Sequence, residues 1–406
     1  MEEFDIAVIG GGMVGASAAL ALAAADRRIV LIEGVSPDSG NHQSFDERTT
    51  ALGNASRRIL EALGVWDGVA EHCGVIRAIH VSDAGRLAFA RLVAREQGIE
   101  AFGFVVPNRV LGAALWRQIK LHDAISVRMP AKVHAVSTDA SGVTLTLAGQ
   151  GPREGKSETL RARLAVAADG AHSAVRRDVG ITATEADYGQ VAIVANVATD
   201  QPHDGTAFER FTPAGPLALV PLRDGSYTVI WARTPDAAHD ALDASDEAFL
   251  ALLQQHFGWR AGKFIRAGKR VSYPLTLTRA DAAVAERTVL IGNAAQSLHP
   301  VAGQGFNLSL RDVAALAELV AEEGDPGTPA LLDRFAQDRA ADRRGVTRFT
   351  DGLIRLFGDT RVPVRLVRDA GLLLFDLLPP AKSALARVSL GFGGGTPRLA
   401  RGLPLR

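Results

Sequence analysis

The chain has 406 residues, enough for two or three domains and a large buried core. Apolar residues make up 47% and charged residues 22%, a globular rather than a disordered composition, and 45 Lys plus Arg against 45 Asp plus Glu leave no net charge, which argues against a nucleic-acid partner. A single cysteine, Cys73, excludes an internal disulfide and fits a reducing compartment, while the pair His72-Cys73 is too small to make a metal site.

The acidic opening MEEFDIAVIGGG enters an apolar strand directly and does not read as a signal peptide, and no apolar run reaches the roughly 18 residues of a membrane span. A cytoplasmic protein is expected. Residues 4–9 form a short apolar run that ends in Gly10-Gly11-Gly12-Met13-Val14-Gly15, a G-x-G-x-x-G after a predicted strand. Residues 16–25 read as a helix of small residues, and a second apolar run, 29–32, ends at Glu33. In this arrangement Gly10 permits the tight turn and Gly12 lets a pyrophosphate approach the backbone. Gly15 lets the helix pack on the strand, with the helix N-terminus facing the phosphates. Glu33 can accept from both ribose hydroxyls of an adenosine. The unit predicts a dinucleotide site but does not separate FAD from NAD.

Two further strand ends carry unusual turns. Residues 164–168 run into Asp169-Gly170-Ala171-His172-Ser173-Ala174-Val175-Arg176, which by itself is a strand, turn and helix with Ser173 near the cap. Residues 288–291 run into Gly292-Asn293, then a loop with Gly303 and Gly305, then a predicted helix from about Asn307 with apolar Leu308, Leu310, Val313, Ala317 and Val320. By itself this is a glycine-rich turn that lets strand and helix pack. Three such strand ends are expected along one edge of one sheet, where doubly wound folds bind ligands, with the third helix aiming backbone N–H groups at negative charge.

On these residues the chain resembles the class A flavoprotein monooxygenases, the aromatic hydroxylases related to p-hydroxybenzoate hydroxylase. Those carry G-x-G-x-x-G, D-G-x-x-S-x-x-R and a G-D motif leading to H-P-x-x-G-Q-G-x-N, in this order. The stretches DYGQVAIVANV, AFERFTPAGPLALVPL and NAAQSLHPVAGQGFNLSLRDV are similar to the ubiquinone-biosynthesis branch, most of all to the 2-octaprenyl-6-methoxyphenol hydroxylases. The resemblance covers nearly the whole chain. It implies an α/β fold: a Rossmann-like FAD-binding domain of the p-hydroxybenzoate hydroxylase type, an antiparallel β-sheet substrate domain and C-terminal helices. The FAD domain would be discontinuous, at 1–75, 106–180 and 275–345. Residues 76–105 and 181–274 would form the substrate-binding sheet, with VAIVANVAT and YTVIWART as strands, and 346–406 a helical region.

The resemblance also implies which residues hold FAD: Gly10, Gly12, Gly15, Glu33, Asp169, Asn293, Gly303, Gly305, Phe306 and Asn307. Arg48 would lie near the pyrophosphate and Arg109 on the cofactor side. Where the wider family has the Asp of its G-D motif and a His three residues on, this chain has Asn293 and Gln296. Asn293 can still accept from a ribityl hydroxyl, with one negative charge fewer beside the pyrophosphate. The implied reaction uses NAD(P)H as co-substrate to reduce FAD. Dioxygen adds at flavin carbon 4a, and the hydroperoxide transfers OH to the ring of a polyprenylated phenol in a site that must exclude water. His299, beside Pro300, is by motif position the nearest candidate for a base; the plainer reading is that both residues shape the loop.

Two rival readings stay open. One is another FAD-dependent oxidoreductase on a hydrophobic substrate, an epoxidase or prenyl reductase; the W-x-W-x-I-P of halogenases is absent around the tryptophans at 66, 116, 231 and 259. The other is a flavin-binding scaffold of a quinone-biosynthesis complex. Residues 353–378 alternate leucines with Arg355, Arg361, Arg365 and Arg368, and 381–406 carry basic residues and no acid. This pattern suggests an element that docks on the inner-membrane surface or on a ubiquinone-biosynthesis complex, against the plainer reading that the leucines pack on the FAD domain.

Overall fold

The structure, a computed structural model, describes residues 2–36, 48–86, 88–149 and 157–359 continuously. Beyond them it describes 361, isolated positions between 364 and 391, and 395–405. The opening apolar run is a strand, Glu2–Ile9, flanked in parallel by Ile29–Ile32 and Ser157–Ala167. Thr288–Leu290 continues the sheet beyond Ser157–Ala167, and Ile125–Arg128 continues it beyond Ile29–Ile32, again in parallel. Within these strands residues 6–9, 29–32 and 164–167 are apolar throughout, because both faces of the parallel sheet are covered there. Ile6 and Val8 face the helices Met13–Ala23, Asn108–Lys120 and Gln304–Glu322. Ala7, Ile9, Val30 and Ile32 face Val143, Leu145 and Leu147 of a hairpin, Ala131–Asp139 with Gly142–Gly149, that pairs antiparallel with Ser157–Ala167. The three strand ends marked in the sequence therefore lie side by side on one edge: Thr288–Leu290, Ser157–Ala167, Glu2–Ile9.

A second sheet has the order Phe264–Ala267, Ala183–Thr199, Tyr227–Arg233, Gly215–Pro221, Thr206–Thr212, Ala78–Asp83, Phe89–Val93, with Val271–Ala280 also paired to Ala183–Thr199. VAIVANVAT and most of YTVIWART are strands within it. It is antiparallel except where Ala78–Asp83 lies parallel to Thr206–Thr212. Those two strands come from distant parts of the chain, so no hairpin turn dictates their direction. One face packs through Trp231, Phe249 and Phe257 under the helices Pro235–Asp243 and Asp246–Phe257. The other face roofs the cavity described below.

Two boundaries differ from the sequence reading. The third-motif helix begins at Gln304, not near Asn307. Gly303 takes φ +59°, a left-handed conformation glycine accepts without strain, so the turn closes there and the next residues are already helical. The helix Pro329–Gly358 runs unbroken through the expected boundary at 345/346. A buried ion network fastens it to the motif helix: Asp312 accepts from Arg339 Nε at 2.7 Å and Arg343 Nη2 at 2.9 Å, and Asp342 accepts from Arg311 Nε at 2.8 Å and from Arg339.

Candidate functional site

The first turn is built by backbone proximity. Gly10 has φ +99°, and a Cβ there would sit 2.5 Å from the Ala168 carbonyl oxygen; a Cβ at Gly15 would sit 1.8 Å from the carbonyl oxygen of Gly10. The strand, turn and helix can approach this closely only with glycine at both positions. Gly12 caps the helix Met13–Ala23 from an extended conformation and makes no side-chain cap, so the first N–H groups of a three-turn helix face outward from the sheet edge. Glu33 holds the turn in place: its Oε2 accepts from Gly11 N–H, and its Oε1 accepts from Val35 N–H at 2.7 Å. A carboxylate has lone pairs left for two ribose hydroxyls after these bonds. Gly11, a free position in the sequence motif, is also constrained, because a Cβ would meet Trp116 Cζ2 at 2.8 Å.

In the second motif Asp169 Oδ2 accepts from the N–H groups of Ala174, at 2.9 Å, and Val175, at 3.3 Å. Its Oδ1 is shut off from solvent and has no hydrogen-bond partner among the described residues. A buried carboxylate oxygen without a donor is costly, and a ligand hydroxyl would satisfy it. Ser173 is the cap of the short helix Ala174–Asp178, its Oγ accepting from Arg176 N–H at 3.0 Å, as the plainer sequence reading held. Arg176, the last residue of the motif and not singled out from the sequence as a site residue, ties the second motif to the third. Its Nη1 donates to the Ala294 carbonyl at 2.9 Å and its Nη2 to that of Ala171 at 2.8 Å.

In the third motif Asn293 is exposed on a tight turn, Gly292–Ala294, at the same sheet edge. Asn307 is different. It is buried, its Oδ1 accepts from Gly53 N–H and Ser56 Oγ, and its Nδ2 donates to the carbonyls of Ala51 and Gly303. All four hydrogen-bonding positions of the amide are used, so its side chain does not reach for a cofactor; it pins the segment 51–56 to the start of the motif helix. Gly305 has open space around its Cα, and Phe306 packs against the core and lines the cavity.

His299 is 2% exposed. Its Nδ1 accepts from Val301 N–H at 3.2 Å, which puts the ring proton on Nε2, and its ring meets Tyr188 edge-on at 5.1 Å. Burial pulls its pKa down to about 4. The ring lies behind the loop and is not among the cavity-lining residues, whereas Pro300 and Val301 are. The geometry thus favours a loop-shaping role for His299 over that of a base. Arg48 lies over the Tyr273 ring at 5.7 Å, on the cavity side, and Arg109 is exposed in the first turn of the helix Asn108–Lys120.

The segment from Pro300 to Asn307, a turn running into the first residues of the motif helix, forms one end of a cavity of about 670 Å³. The roof sheet supplies one wall, the strand Thr49–Gly53 another, and Phe349, Leu353, Leu356 and Phe357 of the long helix a third. Leu353 and Ile354 pack with Phe357, Phe211 and Val301. The Phe211 and Phe357 rings stack at 3.7 Å. This part of the leucine-rich segment read as a docking element is therefore internal packing. Arg365, Leu366, Val367, Leu372, Leu373, Phe375, Arg387 and Arg406 lie outside the described residues. Arg368 lines the cavity but is committed elsewhere: it pairs with buried Asp83 and donates to the carbonyls of Leu356 and Phe357 at the end of the long helix.

A doubly wound sheet edge with a glycine turn, an acid at the second strand and an adjoining apolar cavity defines a dinucleotide-dependent enzyme acting on an apolar substrate. Residues 3–350 match the FAD-binding domain family, and the chain belongs to it; FAD is its cofactor. It is 38% identical to a ubiquinone hydroxylase (UbiL) of Rhodospirillum rubrum over 99% of this chain and 93% of that protein. It is 30% identical to a 3-demethoxyubiquinol 3-hydroxylase of Escherichia coli over 96% of this chain and 99% of that protein. Its fold matches the crystal structure of p-nitrophenol 4-monooxygenase from Pseudomonas putida with a TM-score of 0.78 at 20% identity, over 97% of this chain and all of that one.

Proposed function

We propose that the protein is an FAD-dependent monooxygenase that hydroxylates the aromatic ring of a polyprenylated phenol in ubiquinone biosynthesis, with NAD(P)H and dioxygen as co-substrates. The observation that carries this reading is the continuity of the flavin loop with an apolar cavity of about 670 Å³, a volume suited to a ring bearing an isoprenoid tail. FAD, when bound, supplies the redox centre that takes electrons from NAD(P)H and activates dioxygen. The chain supplies the rest. The N–H groups at Gly12–Gly15 hold the pyrophosphate, Glu33 the adenosine ribose, and Asp169 Oδ1 and Asn293 the hydroxyls between them. The start of the motif helix at Gln304 sets a positive dipole end beside the reacting region. The apolar walls exclude water, which otherwise diverts activated oxygen into peroxide.

The test is to mix the yellow holoenzyme with NAD(P)H, air and a short-chain prenyl phenol. A product heavier by one oxygen atom is expected; bleaching of the flavin without product overturns the hydroxylase reading. Flavin that stays oxidised under anaerobic NAD(P)H would favour a scaffold. The division of the chain into a discontinuous FAD domain at 1–75, 106–180 and from 275 into the helix Pro329–Gly358, a substrate sheet and a helical end belongs to the same proposal.

The substrate's tail resides in a bilayer, and among the described residues no helix is long and apolar enough to cross one. We therefore infer peripheral docking at an anionic membrane surface by the C-terminal region. Exposed Leu374 and Leu378 and the cations Lys382, Arg398 and Arg401 support this reading. Co-sedimentation with anionic vesicles that weakens as salt rises is expected. Absence of vesicle binding at low salt would end the membrane reading in favour of a protein partner or none.

A further inference from the structure

The roof sheet presents a straight row to the cavity. Ala90 pairs with Val81, Val81 with Glu209, Glu209 with Ala218 and Ala218 with Ile230, across five strands, and all five residues line the cavity. Paired residues point to the same face of a sheet, so four apolar side chains and one carboxylate look the same way. Neighbouring residues on this face, Ile79, Leu92, Ala207 and Val220, also line the cavity and are apolar. Glu209 is the one acid among the described lining residues, and it stands in the centre of the row. The sequence neighbour Arg210 points the other way, donating to the His256 carbonyl at 3.1 Å under the helices. A strand that alternates this way would more simply place an apolar residue at 209, so at this point the wall offers a ligand a carboxylate acceptor.

We propose that Glu209 is the positioning residue for the substrate's aromatic hydroxyl. Its carboxylate accepts a hydrogen bond from the phenolic O–H and thereby orients the ring between the roof sheet and the Pro300–Asn307 segment. No proton need leave the hydroxyl in this contact; the shared hydrogen enriches the ring in electrons, which suits an electrophilic hydroxylation. The proposal rests on the phenol-hydroxylase reading above and adds to it the group that recognises the phenol.

The experiment titrates holoenzyme with a short-chain prenyl phenol and with its O-methyl ether, followed by perturbation of the flavin absorbance. The ether has the same shape and lacks the donor. Wild type is expected to bind the phenol at least about tenfold more tightly than the ether, the size of one hydrogen bond to a charged acceptor. Glu209→Leu is expected to lose this preference with FAD content intact, and Glu209→Gln to retain part of it. Three results overturn the proposal: no preference in wild type, a preference that survives in Glu209→Leu, or loss of FAD in both variants, which marks Glu209 as a structural residue. Product formation is scored separately in wild type. A protein that discriminates between the probes yet makes no hydroxylated product refutes the hydroxylase reading while supporting Glu209 as the hydroxyl's partner.

Discussion

The cofactor edge and the substrate cavity adjoin at the Pro300–Asn307 segment, yet they are constructed differently. The edge is made of backbone: glycines at 10 and 15 whose Cβ atoms would overlap a carbonyl, N–H groups at helix starts, and a few side chains such as Glu33, Asp169 and Arg176 whose bonds hold loops in place. The cavity is made of side chains: apolar faces of the roof sheet, the strand Thr49–Gly53 and the long helix, held together by packing, with Arg368 on its lining paired to Asp83. A backbone site tolerates almost no substitution at its contact points, whereas an apolar wall tolerates volume-conserving changes. Cofactor and substrate binding should accordingly respond to different mutations.

The largest effect is expected where one element serves both regions. Asp312, almost fully buried, carries Arg339 and Arg343 and fixes the motif helix to the long helix. Asp312→Ala leaves buried guanidinium groups short of an acceptor and should cost about 3–5 kcal/mol. Urea denaturation should show a lower midpoint with unchanged slope, and flavin loss should coincide with unfolding. A stable variant would show that the Arg311–Asp342 pair and apolar packing hold the two helices without Asp312.

Next comes acid sensitivity at the seam. The pKa of His299 lies at about 4 in the fold, against an ordinary 6.5, because burial disfavours the charged ring. The unfolded chain therefore binds more protons between these values, so this contribution is intact above pH 6.5 and is lost as pH falls towards 4. The loss amounts to about 3 kcal/mol. His299→Gln should flatten that part of the stability–pH curve. An unchanged curve would mean that the ring charges without penalty in the fold.

The last two predictions separate the regions. Asn293→Leu should weaken FAD binding by about 1–3 kcal/mol, because a ribityl hydroxyl would lose its partner, while Asn293→Asp should keep FAD. Equal FAD affinity in Asn293→Leu and wild type, by fluorescence titration, would remove Asn293 from the site. Val81→Thr keeps the shape of the cavity wall and adds one hydroxyl. It should weaken binding of an apolar substrate by about 1 kcal/mol and leave FAD content unaltered. A drop in flavin content in Val81→Thr would mean that the two regions are not separable.

The cofactor edge could be read from the chain because its signals are local. Gly10, Gly12 and Gly15, the acid at position 33, and the Asp169 and Gly292 turns each follow a short apolar run, and the rule that such turns share one sheet edge joined them. Local patterns were less informative where the answer depends on distant partners. Asn307 has the motif position of a ligand residue, but its amide is filled by Gly53, Ser56, Ala51 and Gly303. His299 has the motif position of a base, but it sits neutral behind its own loop. Leu353 and Phe357, with Arg355 between them, looked like a surface element and instead wall the cavity.

The sequence by itself determined the strand–turn–helix units and the glycine positions they require, because these depend on residues within a few places of one another. Only the tertiary structure decided which apolar faces meet. Ala78–Asp83 comes to lie parallel to Thr206–Thr212 without any hairpin to impose it, and that pairing puts Val81 beside Glu209 and completes the row that faces the cavity. The energy of such contacts is set by burial between segments more than a hundred residues apart, and burial has no signature in the local spacing of either segment.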